Sequence, residues 1–486
     1  MLRGALGGNV LRVAILSSEA VPFAKTGGLG DVAGALPKAL RETGGDVDTV
    51  LVHPLYEETD RRLLREMVFD NLAVDWLGGT RRVNVWYSDA PRAPTFLIDA
   101  PEYFARPGIY GYRDDHERFA FFCRASLALL ERVGGPPDVV HGNDWPCGFA
   151  AAELRSRRNH DPYYARTRTL FSIHNLAYQG AFDAGELWRL GFESHDERDY
   201  FMADGVASAL KAGLLASDAL STVSRRYAEE IQTPEHGHGL DWLLRMRRDR
   251  LIGITNGVDY GVWNPATDPH LASHFNAENL EGKRHCKLDL LRRYGLPEDL
   301  DRPIIASISR LTPQKGFDLV REAAGAMIET GAFFVSLGSG ESEYEDFLQT
   351  MRDDAPHRVG VFRGFNEALS HQIEAGADIF LMPSRYEPCG LNQMYSMRYG
   401  TVPVVRATGG LDDTVENYDR TRGTGNGFKF ARYSAAAMLE SLYEALYCYN
   451  EPEVWRTIQL SGMHADNSWQ AAARRYVEVY RIVTGL

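Results

Sequence analysis

A chain of 486 residues that is 44% hydrophobic can bury two large cores or about three average ones. Its formal charge of −13 argues against a nucleic-acid partner, which needs a basic face, but leaves room for a small anion held by a few local cations. Five cysteines (Cys123, Cys147, Cys286, Cys389 and Cys448) are odd in number, widely spread and without a CxxC pair. They argue against a disulfide framework or structural zinc and for a reducing compartment. No apolar run approaches the ~18 residues of a membrane span, and 13–16 is too short for a signal-peptide core. A soluble, cytoplasmic protein without membrane contact is expected.

In chain order, residues 1–10 are a glycine-rich leader. A strand at 11–17 runs into a loop containing Lys25, Gly27, Gly28 and Gly30, and a helix follows over 32–41, stopped by Gly44 and Gly45. Glycines between a strand end and a helix start let backbone amides approach a phosphate. The loop is neither GxGxxG nor GxxxxGK[ST], so neither the dinucleotide nor the P-loop reading applies. Taken alone, a glycine turn with a solvated lysine is its plainer reading. Asp46 and Asp48 imitate a DxD metal motif but precede the strand at 50–53, which makes them a solvated turn. Strands follow at 83–87 and 95–98. The aromatic stretch 103–122 leads into a helix whose rings are more readily core than sugar platforms. A strand over 138–142 ends in Asn143 and Asp144, ahead of a helix over 147–155. Another over 167–173 ends at His174, where a parallel strand's ligand end belongs. After 219–223 comes a polar loop with His236 and His238, which lacks a third ligand at zinc spacing. The domain boundary is placed in the Pro-punctuated connector at 263–268.

The second half restarts the alternation. A strand at 303–309 is followed by Arg310 and Lys315, then a helix from Phe317, so two cations flank a strand end and a helix start, as a diphosphate would require. The strand at 333–337 ends in Gly338 and Gly340, and that at 359–364 ends in Phe365. The apolar run 379–382 opens a polar turn with Glu387, then a helix over 390–399 stopped by Gly400. The strand at 402–405 leads to Gly409 and Gly410, a second phosphate-compatible turn. A final helix spans 471–483, with Tyr476, Val479, Tyr480 and Val483 on one stripe. Two sheets, each alternating strand with helix, give an α/β fold.

Five motifs together resemble the bacterial glycogen synthase and plant starch synthase family: KTGGLGDV at 25–32, HNLAYQG at 174–180, SRLTPQKG at 309–316, PSRYEPCGL at 383–391 and TGGL at 408–411. The resemblance runs from about Arg12 to the final helix. It implies the GT-B fold, two Rossmann-like domains facing across a deep cleft. Residues 1–265 would form the acceptor-side domain, 266–465 the nucleotide-sugar domain, and 466–486 a helix crossing back to the first. It also implies transfer of glucose from ADP-glucose to the non-reducing end of an α-1,4-glucan with retained configuration. The choice of ADP over UDP comes from the resemblance alone. Carried onto this chain, Lys25 and the amides of Gly27 and Gly28 would hold the donor, and Arg310 and Lys315 would grip its distal phosphate. Glu387 would bind sugar hydroxyls. Backbone around Cys389, Gly390, Leu391 and Asn392, with the Gly409–Gly410 turn, would contact phosphate. His174 would lie beneath the glucose, Asp144 would serve the acceptor side, and Phe365 would neighbour the adenine. No cofactor and no metal are expected, because three cations would do a metal's work on the leaving diphosphate. The chain departs from the family at Asn143, where a second histidine is common, at Asn392, often Thr, and at His236 and His238, often aromatic. A binding protein on the same fold, a glucan phosphorylase and a dehydrogenase are the rival readings, the last lacking its glycine fingerprint.

Overall fold

The computed structural model describes residues 10–44, 47–203 and 205–486. Most of the expected leader, Gly45 of the helix stop and Asp46 of the Asp46/Asp48 pair lie outside the described residues. The chain forms two compact units, 1–257 with 469–486, and 258–468. The stretch from Val258 through the expected boundary near 265 groups with the second unit. Val258 bridges Ser468 there, and Trp263 stacks between His371 and Tyr395 at 3.8 and 3.9 Å.

The first unit's strands are β1 (Leu11–Leu16), β2 (Val47–Pro54), β3 (Glu66–Trp76), β4 (Gly79–Ser88), β5 (Thr95–Asp99), β6 (Val139–Asn143) and β7 (Arg168–Ile173). They continue with the short β8 (Ala181–Phe182), β9 (Met202–Ala203) and β10 (Val206–Ser208), then β11 (Ala219–Thr222) and β12 (Leu251–Gly253). The main sheet runs β12-β11-β7-β6-β1-β2-β5-β4-β3, parallel except for the antiparallel β5-β4-β3 edge. The sequence reading missed β3, because its apolar residues are interrupted by Asp70, Asn71 and Asp75, and its outward residues face water as an antiparallel edge allows.

Alternation along β1 shows why this sheet is buried on both faces. Ala14 and Leu16 pack with Phe119 and Phe122 on one side, while Val13 and Ile15 pack with Leu36 and Tyr476 on the other. The aromatic stretch 103–122 is therefore mostly core, with Phe104, Phe119, Phe121 and Phe122 fully buried. The last helix, Trp469–Thr484, buries Trp469, Ala472, Ala473, Tyr476 and Tyr480 at helical spacing against the first unit.

The second unit contributes β13 (Ile304–Ile308), β14 (Phe333–Gly338), β15 (Val359–Arg363), β16 (Ile379–Met382), β17 (Val402–Arg406) and β18 (Phe428–Phe430), in the order β15-β14-β13-β16-β17-β18, all parallel. Strand order reverses between β13 and β16 here, and between β1 and β6 in the first unit. In open α/β sheets, the loops leaving such neighbouring strands part in opposite directions and open a crevice. Among the described residues, no helix is long and apolar enough to cross a membrane.

Candidate functional site

The second unit's crevice is a cavity of about 350 Å³ at the carboxyl ends of β13, β14 and β16, a size that suits a small-molecule ligand. Ser309, Arg310 and Lys315 line it from the loop after β13, Ser339 and Phe365 from the loops after β14 and β15, and Ser384 and Glu387 from the loop after β16. Arg310 is exposed, and among the described residues its guanidinium makes only a 3.5 Å contact to Gln314 Oε1. Lys315, in contrast, donates to Glu387 Oε2, which also accepts from Ser384 Oγ at 3.1 Å. Glu387 is only 6% exposed, so this ion pair keeps a buried carboxylate from standing alone. Phe365 is 84% exposed and offers an apolar face at the rim.

Glycines hold these loops together where a side chain could not fit. Gly316 has φ +78, and a Cβ there would meet Pro383 O at 2.1 Å, so the Lys315 loop seats directly on the strand end before Glu387. A Cβ on Gly410 would lie 2.0 Å from Cys389 O. The Gly410 amide donates to Glu387 O at 3.1 Å, so it already has an acceptor. Gly390, Leu391 and Asn392 line the cavity, whereas Cys389, Gly409 and Gly410 lie outside its lining. The helix expected at 390–399 begins at Asn392, since Gly390 sits at φ +69. Asn392 Nδ2 donates to Ile308 O at 3.0 Å and ties this helix to the end of β13.

In the first unit, the loop after β1 is organised by a residue that the sequence reading passed over. Glu19, 4% exposed, accepts from the amides of Thr26 and Gly27 at 2.6 and 2.9 Å, from Thr26 Oγ1 at 2.9 Å and from Tyr110 Oη at 2.9 Å. The Gly27 amide is therefore engaged inside the protein. Built Cβ atoms on Gly27 and Gly28 meet nothing within 4 Å, so open space lies beside this turn. The helix starts at Gly28 rather than 32. Lys25 pairs with Asp31 at 2.7 Å and stays 46% exposed.

Asp144 and His174 come together at the ends of β6 and β7. The His174 amide donates to Asp144 Oδ1 at 2.7 Å. Asp144 has φ +54 and ψ 179, a conformation costing an L residue on the order of 1–3 kcal/mol. Burial, reinforced by the Glu19 charge, pushes its carboxyl up to about 7. Asn143 Nδ2 donates to Leu16 O at 3.0 Å, which turns its Oδ1 toward His174 Nε2 at 2.9 Å. The proton on His174 thus sits on Nε2, leaving Nδ1 as an acceptor. Burial pushes His174 down to about 4, so its ring is neutral at ordinary pH. Gly180, at φ +57, closes the His174 loop against the Trp145 ring. Only the position of Glu19, just ahead of the glycine turn, signals its part; the use of Asn143 had no local signal. His238 has φ +46 in a loop whose backbone oxygen accepts from Gln179 at 2.8 Å. Among the described residues, no group of three or more His, Cys, Asp or Glu is arranged to hold a metal ion.

Comparison with known proteins gives matches across almost the whole chain. The starch synthase catalytic domain family matches residues 12–246, and the glycosyl transferases group 1 family matches 293–458. The glycogen synthase of Anaeromyxobacter dehalogenans (strain 2CP-C) is 46% identical over 483 residues, covering 97% of this chain and 99% of that protein. That of Geobacillus stearothermophilus is 43% identical, covering 97% of each. Among solved structures, the catalytic domain of starch synthase IV from Arabidopsis thaliana, bound to ADP and acarbose, superposes with TM-score 0.89 at 34% identity over 99% of this chain and 100% of that one. Sucrose-phosphate synthase from Thermosynechococcus elongatus, at 17% identity and TM-score 0.60 over 98% and 99% of the two chains, shares the fold.

Proposed function

The chain belongs to the glycogen synthase and starch synthase family and has its GT-B fold, and from that premise we propose that it transfers glucose from ADP-glucose to the non-reducing end of an α-1,4-glucan. The observation that carries this reading is the cavity at the β13/β16 switch point, with Arg310 uncommitted to any acid among the described residues and Phe365 exposed at the rim. The related starch synthase is bound to ADP and acarbose, which supports a nucleoside diphosphate and a glucan as ligands of this chain.

Breaking the glucosyl–phosphate bond puts negative charge on the departing diphosphate and positive charge on the sugar. Arg310 and Lys315 stabilise the first charge from fixed positions, as an oxyanion site does. The buried Glu387 keeps Lys315 aimed into the cavity and accepts from sugar hydroxyls. The acceptor hydroxyl attacks on the face from which the diphosphate leaves, and a phosphate oxygen of the leaving group takes its proton, so configuration is retained. From the first unit, Lys25 and the open Gly27–Gly28 turn serve the donor's phosphates, the latter through the Gly28 amide, since Glu19 holds that of Gly27. The neutral His174 ring offers Nδ1 to a glucose hydroxyl, and Asp144 contributes to the acceptor side. No step is assigned to a metal or an organic cofactor. The five free, buried cysteines support a reducing cytoplasm as its compartment.

The test mixes the purified protein with glycogen and either ADP-glucose or UDP-glucose, with and without EDTA, and measures nucleotide release and glucose incorporation. Incorporation from ADP-glucose that EDTA leaves unchanged is the expected result. Absence of release from either donor would overturn the reading.

A further inference from the structure

Trp263 lies outside the cavity lining, yet it is wedged between two helices whose preceding loops furnish that lining. His371 belongs to the helix Glu367–Gly376, which follows directly on the rim residue Phe365 and is capped by Asn366 Oδ1, accepting from the Leu369 amide at 2.9 Å. Tyr395 belongs to the helix Asn392–Arg398, which follows directly on the cavity residues Gly390 and Leu391. The indole meets the His371 ring at 3.8 Å and 6°, and the Tyr395 ring at 3.9 Å and 5°. Ring pairs left to themselves offset or tilt at about 4.5–7 Å, so the surroundings impose this tight face-to-face order.

The buried Asp268 supplies part of that constraint. Its Oδ2 accepts from His371 Nδ1 at 2.7 Å and from Tyr399 Oη at 2.5 Å, and its Oδ1 accepts from the His270 amide at 2.9 Å. His371 Nε2 is buried with no partner among the described residues, so one hydrogen bond and ring packing orient the imidazole. The Tyr399 ring stands edge-on to the indole at 6.2 Å and 75°. Arg398, one turn after Tyr395, covers the Tyr260 ring at 4.6 Å, and its Nη2 donates to Asn264 Oδ1 at 3.4 Å. The helix Asn392–Arg398 therefore grips the connector on both sides of Trp263. The Val258 amide donates to Asn467 O at 2.7 Å, and Tyr260 Oη accepts from the Asn467 amide at 3.1 Å, which pins the connector's start.

We infer that Trp263 is a positioning residue for the sugar donor: it sets the separation of the two helices and, through them, the span of the cavity from Phe365 to Asn392. The inference rests on the donor reading of that cavity. A nucleotide held at both ends, its base against Phe365 and its diphosphate beside Arg310 and Asn392, senses this span, whereas a ligand that touches one side does not. With the indole gone, His371 and Tyr395 lose their common face and the two helices shift relative to each other. A shift of about 1 Å is enough to matter, since misplacement on that scale, caused far from the chemistry, can cost about a hundredfold.

Steady-state kinetics and calorimetry with ADP on the full chain compare Trp263→Leu with Trp263→Phe. Trp263→Leu should raise the KM for ADP-glucose and the Kd for ADP by about tenfold or more, while the KM for glycogen stays within about twofold of the parent. Trp263→Phe keeps a ring in the stack and should recover most of the ADP affinity. Where Trp263→Leu does not fold, Tyr395→Leu removes the same contact from the other side and carries the same expectation. Combined with Phe365→Ala, the leucine variant should bind ADP more tightly than the product of the two single losses, because both act through one span. Equal rises in the two KM values, ADP binding indifferent to the leucine substitution, no recovery in the phenylalanine variant, or strictly additive losses would overturn the proposal. The parent is measured first. A parent that neither binds ADP nor transfers glucose from ADP-glucose overturns the donor reading, and this inference with it; a parent that does both beside unaffected variants overturns the positioning role alone.

Discussion

Arg310 and Lys315 are five positions apart in one loop, yet they stand in opposite electrostatic situations. Arg310 is exposed with no carboxylate beside it among the described residues, while Lys315 is clamped on the buried Glu387. Arg310→Ala should therefore lower kcat/KM for ADP-glucose by about 10²–10³-fold with an unchanged Tm. Lys315→Gln should lower both, because it strands a buried carboxylate at a cost on the order of 3 kcal/mol. Kinetics and thermal melts of the two variants check this split. Asp144 makes a second prediction, one of pH. Its carboxyl is held up to about 7, while the unfolded chain titrates near 3.8. Between about pH 4 and 7 the unfolded chain has released the proton and the folded chain has kept it, so this group subtracts stability as pH rises, and the loss is complete above 7. Asp144→Asn keeps an acceptor for the His174 amide and removes the charge. Denaturant titrations should show the variant gaining on the parent from about pH 4 to 7 and then holding a constant advantage. Residue type alone marked Arg310, Lys315, Glu387 and His174, since charges at strand ends are legible in sequence. What each side chain was already bonded to was not legible, because Glu387 lies 72 positions from Lys315.

At the scale of elements, two glycines separate a built contact from an incidental one. Gly410 lies in the first turn of the helix Gly409–Thr414, whose backbone presses on the loop carrying Glu387 and Cys389, and any Cβ there meets a carbonyl at 2.0 Å. Gly410→Ala should displace that loop, costing about 1–3 kcal/mol of stability and most of the activity. Gly325, inside the helix Phe317–Glu329, has nothing within 4 Å of a built Cβ. Gly325→Ala should stabilise by about 0.5–1 kcal/mol with activity unchanged, and melts and assays of the pair read both outcomes. Glycine turns after strands were visible in the sequence as phosphate-compatible. Their use differs: Gly28 keeps open space beside it, whereas Gly410 is consumed in packing, and only the neighbouring loop decides between the two. The missed β3 teaches the same lesson, since an antiparallel edge strand does not carry the continuous apolar run that reveals a parallel one.

For the molecule as a whole, acid stability follows from buried histidines of the first unit. Burial pushes His53 and His141 down to about 3 and His174 to about 4, against 6.5 when unfolded. Each adds stability that is complete above about pH 6.5 and is lost as pH falls toward its folded value. Asp144 acts with the opposite sign over the same window. From these four groups, unfolding between about pH 4 and 6.5 takes up a net two protons, on the order of 3 kcal/mol per pH unit. Denaturant unfolding followed through the first unit should steepen accordingly below pH 6.5. His53→Leu, which removes one of the three histidines, should halve that slope.

By itself the sequence determined the alternation of strand and helix, the two-sheet α/β class, the family, and the residue types at the strand ends, because periodicity and strand-end motifs are local properties of the chain. Tertiary structure alone decided that β16 lies beside β13, which opens the crevice, and that Tyr480 of the last helix bonds His141 across 339 positions. It also decided that Glu19 takes the amide of Gly27, and that Trp263 stands between His371 and Tyr395. The Glu19–Gly27 pair, eight positions apart, is a local contact, but the physical reason is common to the other three. Which strand neighbours which, and which donor finds which acceptor, is set by burial and hydrogen-bond satisfaction between segments far apart in sequence, and no short stretch of sequence contains both partners.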